Sequence, residues 1–168
     1  MKVLHLSSEK TWRGGEQQIA YLIEELEKKG VENFVACRKK SAFETYCKKK
    51  NINHISVPFA NNFDVTTAWQ IKNFVNYLEV DIMHMHSSRS HTMAVLATVL
   101  GAKSKMILSR RVDFPSSGNV LSKYKYNHPK IRKVLCVSEK IKEIISPIIQ
   151  DKAKLKVVYS GIDLKRFE

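Results

Sequence analysis

The stretch that decides the fold is KVLHLSSEKTWRGGEQQIAYLIEELEKKG, residues 2–30. Its first six residues form an apolar run that ends in serine, which predicts a buried strand. From about Gly15 to Lys29 the apolar residues recur at the spacing of one helix face. Gly30 can end this helix, because glycine readily adopts the left-handed conformation of a C-terminal cap. A strand that leads into an amphipathic helix is the first part of a βαβ unit.

The same alternation continues along the chain. Apolar runs predict further strands at 33–38, 54–58, 80–86, 105–110, 133–138 and 155–160. Between them lie helical patterns, three of which begin at the predicted N-caps Ser41, Asp64 and Ser138. Strands that alternate with helices favour right-handed crossovers and a parallel sheet. We predict an α/β, Rossmann-like, doubly wound, mostly parallel sheet of about seven strands, with one long irregular stretch at 111–132.

Length and composition are those of a folded domain. The 168 residues are 43% apolar and 27% charged, which suits one domain and does not suggest disorder. The longest nearly apolar stretch, residues 92–102, is too short to cross a bilayer. The short apolar run at the start makes a poor signal peptide. We therefore expect a cytoplasmic location.

The residues that commonly bind metals are sparse. The odd number of cysteines and the absence of a CxxC pair predict buried, reduced thiols at Cys37, Cys47 and Cys136. Three histidines are close together in the sequence, but no cysteine or glutamate nearby completes a ligand set: His84, His86 and His91. We predict no metal site and no cofactor.

The positive charge is concentrated in one part of the chain. The net charge is +13; residues 1–100 carry 13 basic and 10 acidic side chains, whereas residues 101–168 carry 16 and 6. A basic half suggests an anionic partner such as nucleic acid, a phosphorylated ligand or an anionic membrane. The alternative is a solvated, lysine-rich surface without a partner.

The predicted fold limits where a ligand can bind. In an open parallel sheet, ligands lie at the carboxyl ends of the strands. The residues at or just after these ends are Ser7, Ser8, Gly14, Gly15, Glu16, His86, Ser87, Ser88, Ser109, Arg110, Arg111, Asp113, Ser160, Gly161 and Asp163. The first loop lacks GxGxxG, the second strand ends in basic residues, and no GxxxxGK[ST] occurs. Dinucleotide-binding and P-loop sites are therefore disfavoured.

The Gly-Gly-Glu turn of residues 14–16 has two interpretations. Without side chains, Gly14 and Gly15 let backbone N–H groups approach a ligand at the positive end of a helix. A phosphate or a sugar hydroxyl suits that place, and Glu16 could accept a hydrogen bond from a hydroxyl. The alternative is an ordinary helix start that contains two glycines.

Four segments in the right order resemble one enzyme family. Besides residues 2–30 with their Gly-Gly-Glu loop, these are VDIMHMHSS (80–88), KVLCVSEKIKEII (133–145) and LKVVYSGIDLKRF (155–167). Together the chain resembles the N-terminal domain of the family 4 glycosyltransferases, retaining enzymes of the GT-B architecture. The resemblance implies that residues 1–168 are the acceptor-side half. A second Rossmann-like domain would hold the nucleotide sugar, and this half alone would be inactive.

The resemblance also implies an activity. The family transfers a sugar from a nucleotide-sugar donor with retention and without a metal, so the protein positions the reactants and stabilises charge. We expect a saccharide or lipid-linked acceptor, as in cell-surface polysaccharide or lipopolysaccharide synthesis. The expected donor or acceptor contacts are Gly14, Gly15, Glu16, His86, Ser87, Arg110, Arg111 and Gly161.

One position departs from the family pattern. Many relatives have a histidine after the fifth strand, where this chain reads LSRRVDF and places Arg111. Arginine cannot act as a base but can bind phosphate with two hydrogen bonds. Asp113 is the nearest carboxylate, and we predict that it is the catalytic group that contacts the acceptor. The alternative is that Arg110 and Arg111 only begin a basic loop and that Asp113 pairs with one of them.

We predict different roles for the two histidines of the fourth strand. We expect His84 and His86 to point to opposite faces of the sheet, with one as a core histidine and His86 near the cleft. Ser87 is a candidate ligand, although a helix cap is its more common role.

The segment SKYKYNHPKIRK, residues 122–133, alternates basic residues with Tyr124 and Tyr126. Such a loop suits the headgroup region of an anionic membrane, so we expect peripheral binding at its inner face. The tyrosines could instead stack on single-stranded nucleic acid. We do not expect nucleic acid as the partner, but a non-catalytic module that binds nucleic acid or another anion remains the alternative function.

Overall fold

The computed structural model describes residues 1–61, 63–115 and 117–161. The strands are β1 (Lys2–Ser7), β2 (Glu32–Arg38), β3 (His54–Val57), β4 (Ile82–Met85), β5 (Lys105–Arg110), β6 (Ile131–Cys136) and β7 (Leu155–Val157). The α-helices are α1 (Gly14–Glu27), α2 (Ala42–Lys50), α3 (Val65–Tyr77), α4 (Ser88–Val99), α5 (Val120–Tyr126) and α6 (Glu139–Ile145). Short 3₁₀ turns at Ser146–Ile148 and Lys152–Lys154 precede β7.

The seven strands form one sheet in the order β3-β2-β1-β4-β5-β6-β7, and every pair is parallel. This confirms the predicted doubly wound α/β fold. From β1 the chain first adds strands on one side, and after β3 it returns to add β4 on the other side. The order therefore reverses between β1 and β4, and in such sheets the crevice at this switch point is where ligands bind.

Both faces of the sheet are covered by helices. On one face a small cluster joins α1 and α2 to β2 through Ile19, Ile23, Val35, Cys37, Phe43 and Cys47. The main core contains Leu4 and Leu6 of β1 together with buried residues of α3, α4 and α6. Alternate strand residues point to opposite faces, so β2 supplies Phe34 and Ala36 to the main core and Val35 and Cys37 to the small cluster. The three cysteines are buried and free, as predicted.

Side-chain caps fix the starts of the helices. Ser41, Asp64 and Ser138 accept backbone hydrogen bonds from residues three positions later, as predicted. Ser87 caps α4 in the same way through a bond from the Ser90 amide. The predicted strand at 155–160 is shorter in the structure and ends at Val157.

The prediction of an irregular stretch at 111–132 was wrong in part, because it contains α5. Asn119 starts this helix by accepting a 2.8 Å hydrogen bond from the Ser122 amide. Within it, Tyr126 is 3% exposed and belongs to the core, whereas Tyr124 is half exposed. The segment 122–133 is thus not a loop with two surface tyrosines, and Tyr126 is unavailable to a bilayer or to a nucleic-acid base.

The helices are short. Across the described part of the chain, none combines the length and the apolar character that a membrane crossing requires.

Candidate functional site

The carboxyl ends of β1, β4 and β5 meet the start of α1 at the switch point. Ser8, after β1, and Ser87, after β4, share a hydrogen bond of 2.7 Å between their hydroxyls. Arg111, directly after β5, donates from Nη1 to the Gly15 carbonyl oxygen at 2.8 Å. The fold therefore brings together residues that are spread over most of the sequence.

A cavity of about 330 Å³, here called the inner cavity, opens at this place. Six of the predicted site residues line it: Gly15, Glu16, His86, Ser87, Arg110 and Arg111. Gly161 lines a second, larger cavity of about 660 Å³ between α1 and the ends of β6 and β7, which Arg111 also reaches. There the Gly161 carbonyl accepts a 2.7 Å hydrogen bond from Gln18 Nε2.

Two predicted residues stand apart from these cavities. Gly14 begins α1 and is exposed, and Asp113 is exposed as well. Within the described ranges, Asp113 lines neither the inner nor the larger cavity. The alternative in which Asp113 pairs with Arg110 or Arg111 finds no support, because no described ion pair involves either arginine.

Glu16 has both carboxylate oxygens engaged inside the chain. It accepts from Ser7 Oγ at 2.9 Å and from the Arg13 amide at 3.2 Å, and it is 3% exposed. Through these two bonds Glu16 ties the first turn of α1 to the end of β1. The hydroxyl that Glu16 binds here is thus that of Ser7.

Arg110 and Arg111 are held in different ways. Arg110 is 6% exposed and donates from Nη1 to the Tyr126 hydroxyl at 3.1 Å and from Nη2 to the Phe114 carbonyl. Arg111 is partly buried between Gly15 and His86. Burial lowers the pKa of Arg111, and the nearby Glu16 carboxylate opposes that shift.

The prediction that His84 and His86 face opposite sides of the sheet was wrong. Their ring centroids are 4.0 Å apart, because residues two positions apart on a strand share a face. His5 pairs with His84 in the adjacent strand and joins them, so ring nitrogens of all three lie within 4.8 Å of one another. The sequence reasoning missed His5, although its equivalent place in β1 was a usable signal.

Hydrogen bonds link these rings to Arg111. The Asn33 amide donates to the Val31 carbonyl, so its oxygen accepts from His5 Nε2 at 3.1 Å. His5 Nδ1 then accepts from His86 Nε2 at 3.2 Å, which leaves His86 Nδ1 facing Arg111 Nη2 at 3.5 Å.

Burial keeps these imidazoles neutral: it lowers the pKa of His5 to about 4 and the pKa values of His84 and His86 well below the usual range. The spacing of the rings is one that a metal could use. However, His5 and His86 are satisfied without an ion, and the Arg111 cation beside His86 opposes one.

Three buried side-chain polar atoms in the described part of the chain have no hydrogen-bond partner: His91 Nδ1, Arg110 Nε and Arg111 Nε. All three belong to residues that line the inner cavity. An unpaired buried polar group costs about 1–3 kcal/mol of stability. Three such groups in one place favour a bound water or ligand that would supply the missing hydrogen bonds. His91 was not among the predicted site residues, since nothing in the sequence showed that α5 would bury it.

The fold matches several solved structures. The chain aligns over 98% of its length with Anabaena Alr3699/HepE in complex with UDP-glucose, at 14% identity and a TM-score of 0.81. A glycosyltransferase from Rickettsia africae ESF-5 matches over 99% of the chain at 21% identity and a TM-score of 0.76. The lipopolysaccharide outer core galactosyltransferase WaaB matches over 98% at 17% identity and a TM-score of 0.70.

The matched part is one half of each of these proteins. The chain covers 45% of the Anabaena protein, 45% of the Rickettsia protein and 47% of WaaB, so it corresponds to one half of the GT-B architecture. Among curated proteins, none matches the chain significantly. The family model for Glycosyltransferase Family 4 matches residues 12–166, nearly the whole chain. The chain therefore belongs to Glycosyltransferase Family 4, and its candidate site is the switch-point crevice with the glycine turn and two arginines.

Proposed function

We propose that this chain is the acceptor-side half of a glycosyltransferase that moves a sugar from a nucleotide-sugar donor to a saccharide or lipid-linked acceptor. The observation that carries the proposal is the contact between Arg111 and Gly15. It places a guanidinium beside the first turn of α1. The helix N-terminus and the guanidinium are both positive, so they repel each other without a ligand. Together they attract an anion that lies between them. The diphosphate of a nucleotide sugar is such an anion.

The chemistry follows from this placement. In retaining transfer on the face of the leaving group, the bond from the sugar to the diphosphate breaks as the acceptor hydroxyl approaches. The charge that develops on the leaving phosphate requires donors that are already in position. Arg111 and the amides at Gly14 and Gly15 supply them. Asp113, at the exposed rim, is our candidate for a contact with the acceptor. The matched Anabaena structure is described as a complex with UDP-glucose, which supports a nucleotide-sugar donor.

We further propose that a second α/β domain completes the active site. The matched proteins are about twice as long as this chain, and the inner cavity lies at the carboxyl ends of β4 and β5, where ligands bind in such sheets. This half would then bind the donor weakly and show no turnover alone.

A membrane-associated acceptor is supported by α5, close to the inner cavity. The helix exposes Val120, Leu121 and Tyr124, with exposed fractions of 85%, 55% and 50%, and Lys123 is exposed among them. Apolar and basic side chains on one short helix suit the interface of an anionic membrane. We propose peripheral binding at the cytoplasmic face through α5, in cell-surface polysaccharide or lipopolysaccharide synthesis. Vesicle sedimentation with Leu121→Asp, compared with the wild type, tests this part.

Titration of the ¹⁵N-labelled chain with UDP and with UDP-glucose tests the central proposal. We expect weak binding, with amide shifts concentrated at Gly14, Gly15 and the residues around Arg111. Arg111→Gln should abolish these shifts, whereas Arg132→Gln, a change of an exposed arginine on β6, should leave them unchanged. Shifts confined to another surface, or equal shifts in both variants, would contradict the proposal.

A further inference from the structure

We propose that the inner cavity binds an acidic acceptor sugar, with its anionic group against Arg110 and Arg111 and a hydroxyl on His91 Nδ1. The inference rests on the proposed function and adds the chemical class of the acceptor. It follows from the hydrogen-bonding capacity that is left unused in residues that line this cavity.

Two arginines bring positive charge to the inner cavity. Arg110 and Arg111 both line the inner cavity, and each has a buried Nε–H without a partner. Burial, and after it the nearby Arg110 cation, lowers the pKa of Lys125. Like charges at close range destabilise the empty protein, so a compensating anion fits the arrangement.

The nearby carboxylates compensate this charge only in part: Glu16 favours the charged form of Arg111, but no described ion pair joins a carboxylate to either arginine. Glu9 pairs with Arg13 at 3.4 Å, and Glu16 is occupied by Ser7 and the Arg13 amide. No other acidic side chain is present among the residues that line the inner cavity. The two Nε–H groups have no partner within the chain, and an anionic group of the ligand would supply one. A phosphate or a carboxylate matches their planar donors best.

The His91 ring supplies a neutral hydrogen-bond acceptor instead of a cationic donor. Its Nε2 lies 3.0 Å from the Lys125 carbonyl, and because a carbonyl only accepts, Nε2 carries the proton. Nδ1 is then a lone pair, and burial with the nearby Lys125 ammonium holds the pKa of His91 well below its usual range. A neutral nitrogen that can only accept requires a donor such as a sugar hydroxyl.

The dimensions suit one sugar residue. At about 330 Å³ the cavity is near the lower end of the range for small-molecule sites, roughly 300–1,000 Å³. A monosaccharide that carries an acidic group fits this volume, whereas an oligosaccharide would extend into solvent. The acidic group can be a phosphate ester or a carboxylate, since both present oxygen pairs to arginine.

Calorimetric titration of the chain with glucose 6-phosphate, glucuronate, glucose and inorganic phosphate tests the inference. At least one of the two acidic sugars should bind tenfold or more tightly than glucose, and the better one identifies the anionic group. His91→Gln keeps a donor for the Lys125 carbonyl but removes Nδ1. It should weaken acidic-sugar binding about tenfold and leave the affinity for phosphate unchanged. Arg111→Gln should weaken both.

The controls separate this inference from the proposed function. Arg132→Gln should bind all four probes as the wild type does, and the melting temperature of each variant shows whether it is folded. Equal affinity for glucose and for both acidic sugars would overturn the inference, as would an equal loss of phosphate and sugar binding in His91→Gln. If UDP binds at the Gly15 rim and the acidic sugars do not bind, only the acceptor inference fails.

Discussion

Arg111 and Gly15 are 96 residues apart in the chain, and yet Arg111 Nη1 donates a 2.8 Å hydrogen bond to the Gly15 carbonyl. The bond joins the end of β5 to the first turn of α1, across the ends of β1 and β4 that lie between them in the sheet. It therefore spans the crevice in which the fold class places its ligands. It also gives the glycine turn a role beyond starting a helix, because the guanidinium and the helix end face the same space.

The glycine turn should matter for binding more than for stability. Neither Gly14 nor Gly15 has a positive φ, and a Cβ on Gly15 would lie 3.5 Å from Arg111 Nη1, an ordinary contact. We expect Gly15→Ala to retain or raise the free energy of unfolding, by up to about 1 kcal/mol. Binding of UDP should fall tenfold or more, because the methyl group occupies the ligand's space.

Gly14→Ala tests the neighbouring amide: a Cβ there meets nothing within 4 Å in the chain, so any loss of UDP binding would come from contact with the ligand. Gly30→Ala is the control: at a φ of +73° it should lose about 1 kcal/mol of stability without an effect on binding. Urea unfolding and UDP titration of the three variants provide the measurement. If Gly15→Ala binds UDP like the wild type, the close approach of a ligand to this backbone is excluded.

Glu16→Gln should mainly cost stability. The change replaces a buried carboxylate oxygen that accepts from Ser7 or Arg13 by an amide that cannot accept, so we expect a loss of about 1–3 kcal/mol. Glu27→Gln, at the exposed end of the same helix, should cost almost nothing. Urea unfolding measures both. A Glu16→Gln variant that is fully stable but does not bind sugar would instead make Glu16 a ligand contact.

The hydroxyl of Tyr126 should support the buried Arg110. Tyr126→Phe removes the oxygen that accepts from Arg110 Nη1 at 3.1 Å. Since hydrogen bonds to charged groups contribute about 1.5–3 kcal/mol, we expect a loss of that size in thermal or urea unfolding. Tyr124→Phe, on the exposed side of the same helix, should have no measurable effect. Equal stability of the two variants would show that Arg110 finds another partner.

Stability should fall in mild acid. The pKa of His5 is lowered to about 4 by burial, so between that value and its unfolded value the unfolded chain binds a proton that the folded chain does not. Neutral His5 makes its full contribution to the free energy of unfolding above about pH 6.5. This contribution, on the order of 3 kcal/mol for His5 alone, is lost as the pH falls toward 4. Urea unfolding at pH 7.5, 6.0 and 5.0 measures the slope.

His5→Gln isolates this effect. Glutamine can still donate to Asn33 but does not titrate, so the variant should be less stable at pH 7.5 and should lose less stability than the wild type between pH 7.5 and 5.0. Parallel slopes for wild type and His5→Gln would show that the pKa of His5 is the same in the folded and the unfolded chain.

The local parts of this architecture were predictable because they depend on nearby residues. The period of the apolar residues marks strands and helices, and the caps at Ser41, Asp64 and Ser138 act within one turn. The parallel sheet follows from the alternation of the elements. The carboxyl-end rule then selected six residues that line the inner cavity, without any measured distance.

Other features depend on contacts between residues that are far apart in the sequence, which a local sequence pattern cannot show. Helix α5 was missed because its start rests on the single cap Asn119, and with it the burial of Tyr126 was missed. The faces of His84 and His86 were assigned incorrectly, although the strand period alone determines them. His5 and His91 acquire their environments only when β1 meets β4 and when α5 covers α4.

The amino-acid sequence by itself determined the class of fold, the rim at which that class of fold binds its ligands and the surplus of basic residues in the second part of the chain. Those properties follow from periodicity, strand order and composition. Only the tertiary structure decided which polar atoms are used within the chain and which are left over. Ser7 satisfies Glu16, and Tyr126 satisfies part of Arg110, whereas His91 Nδ1 remains unpaired. The reason is physical: a hydrogen bond requires two atoms within about 3 Å, and residues far apart in sequence reach that distance only through packing.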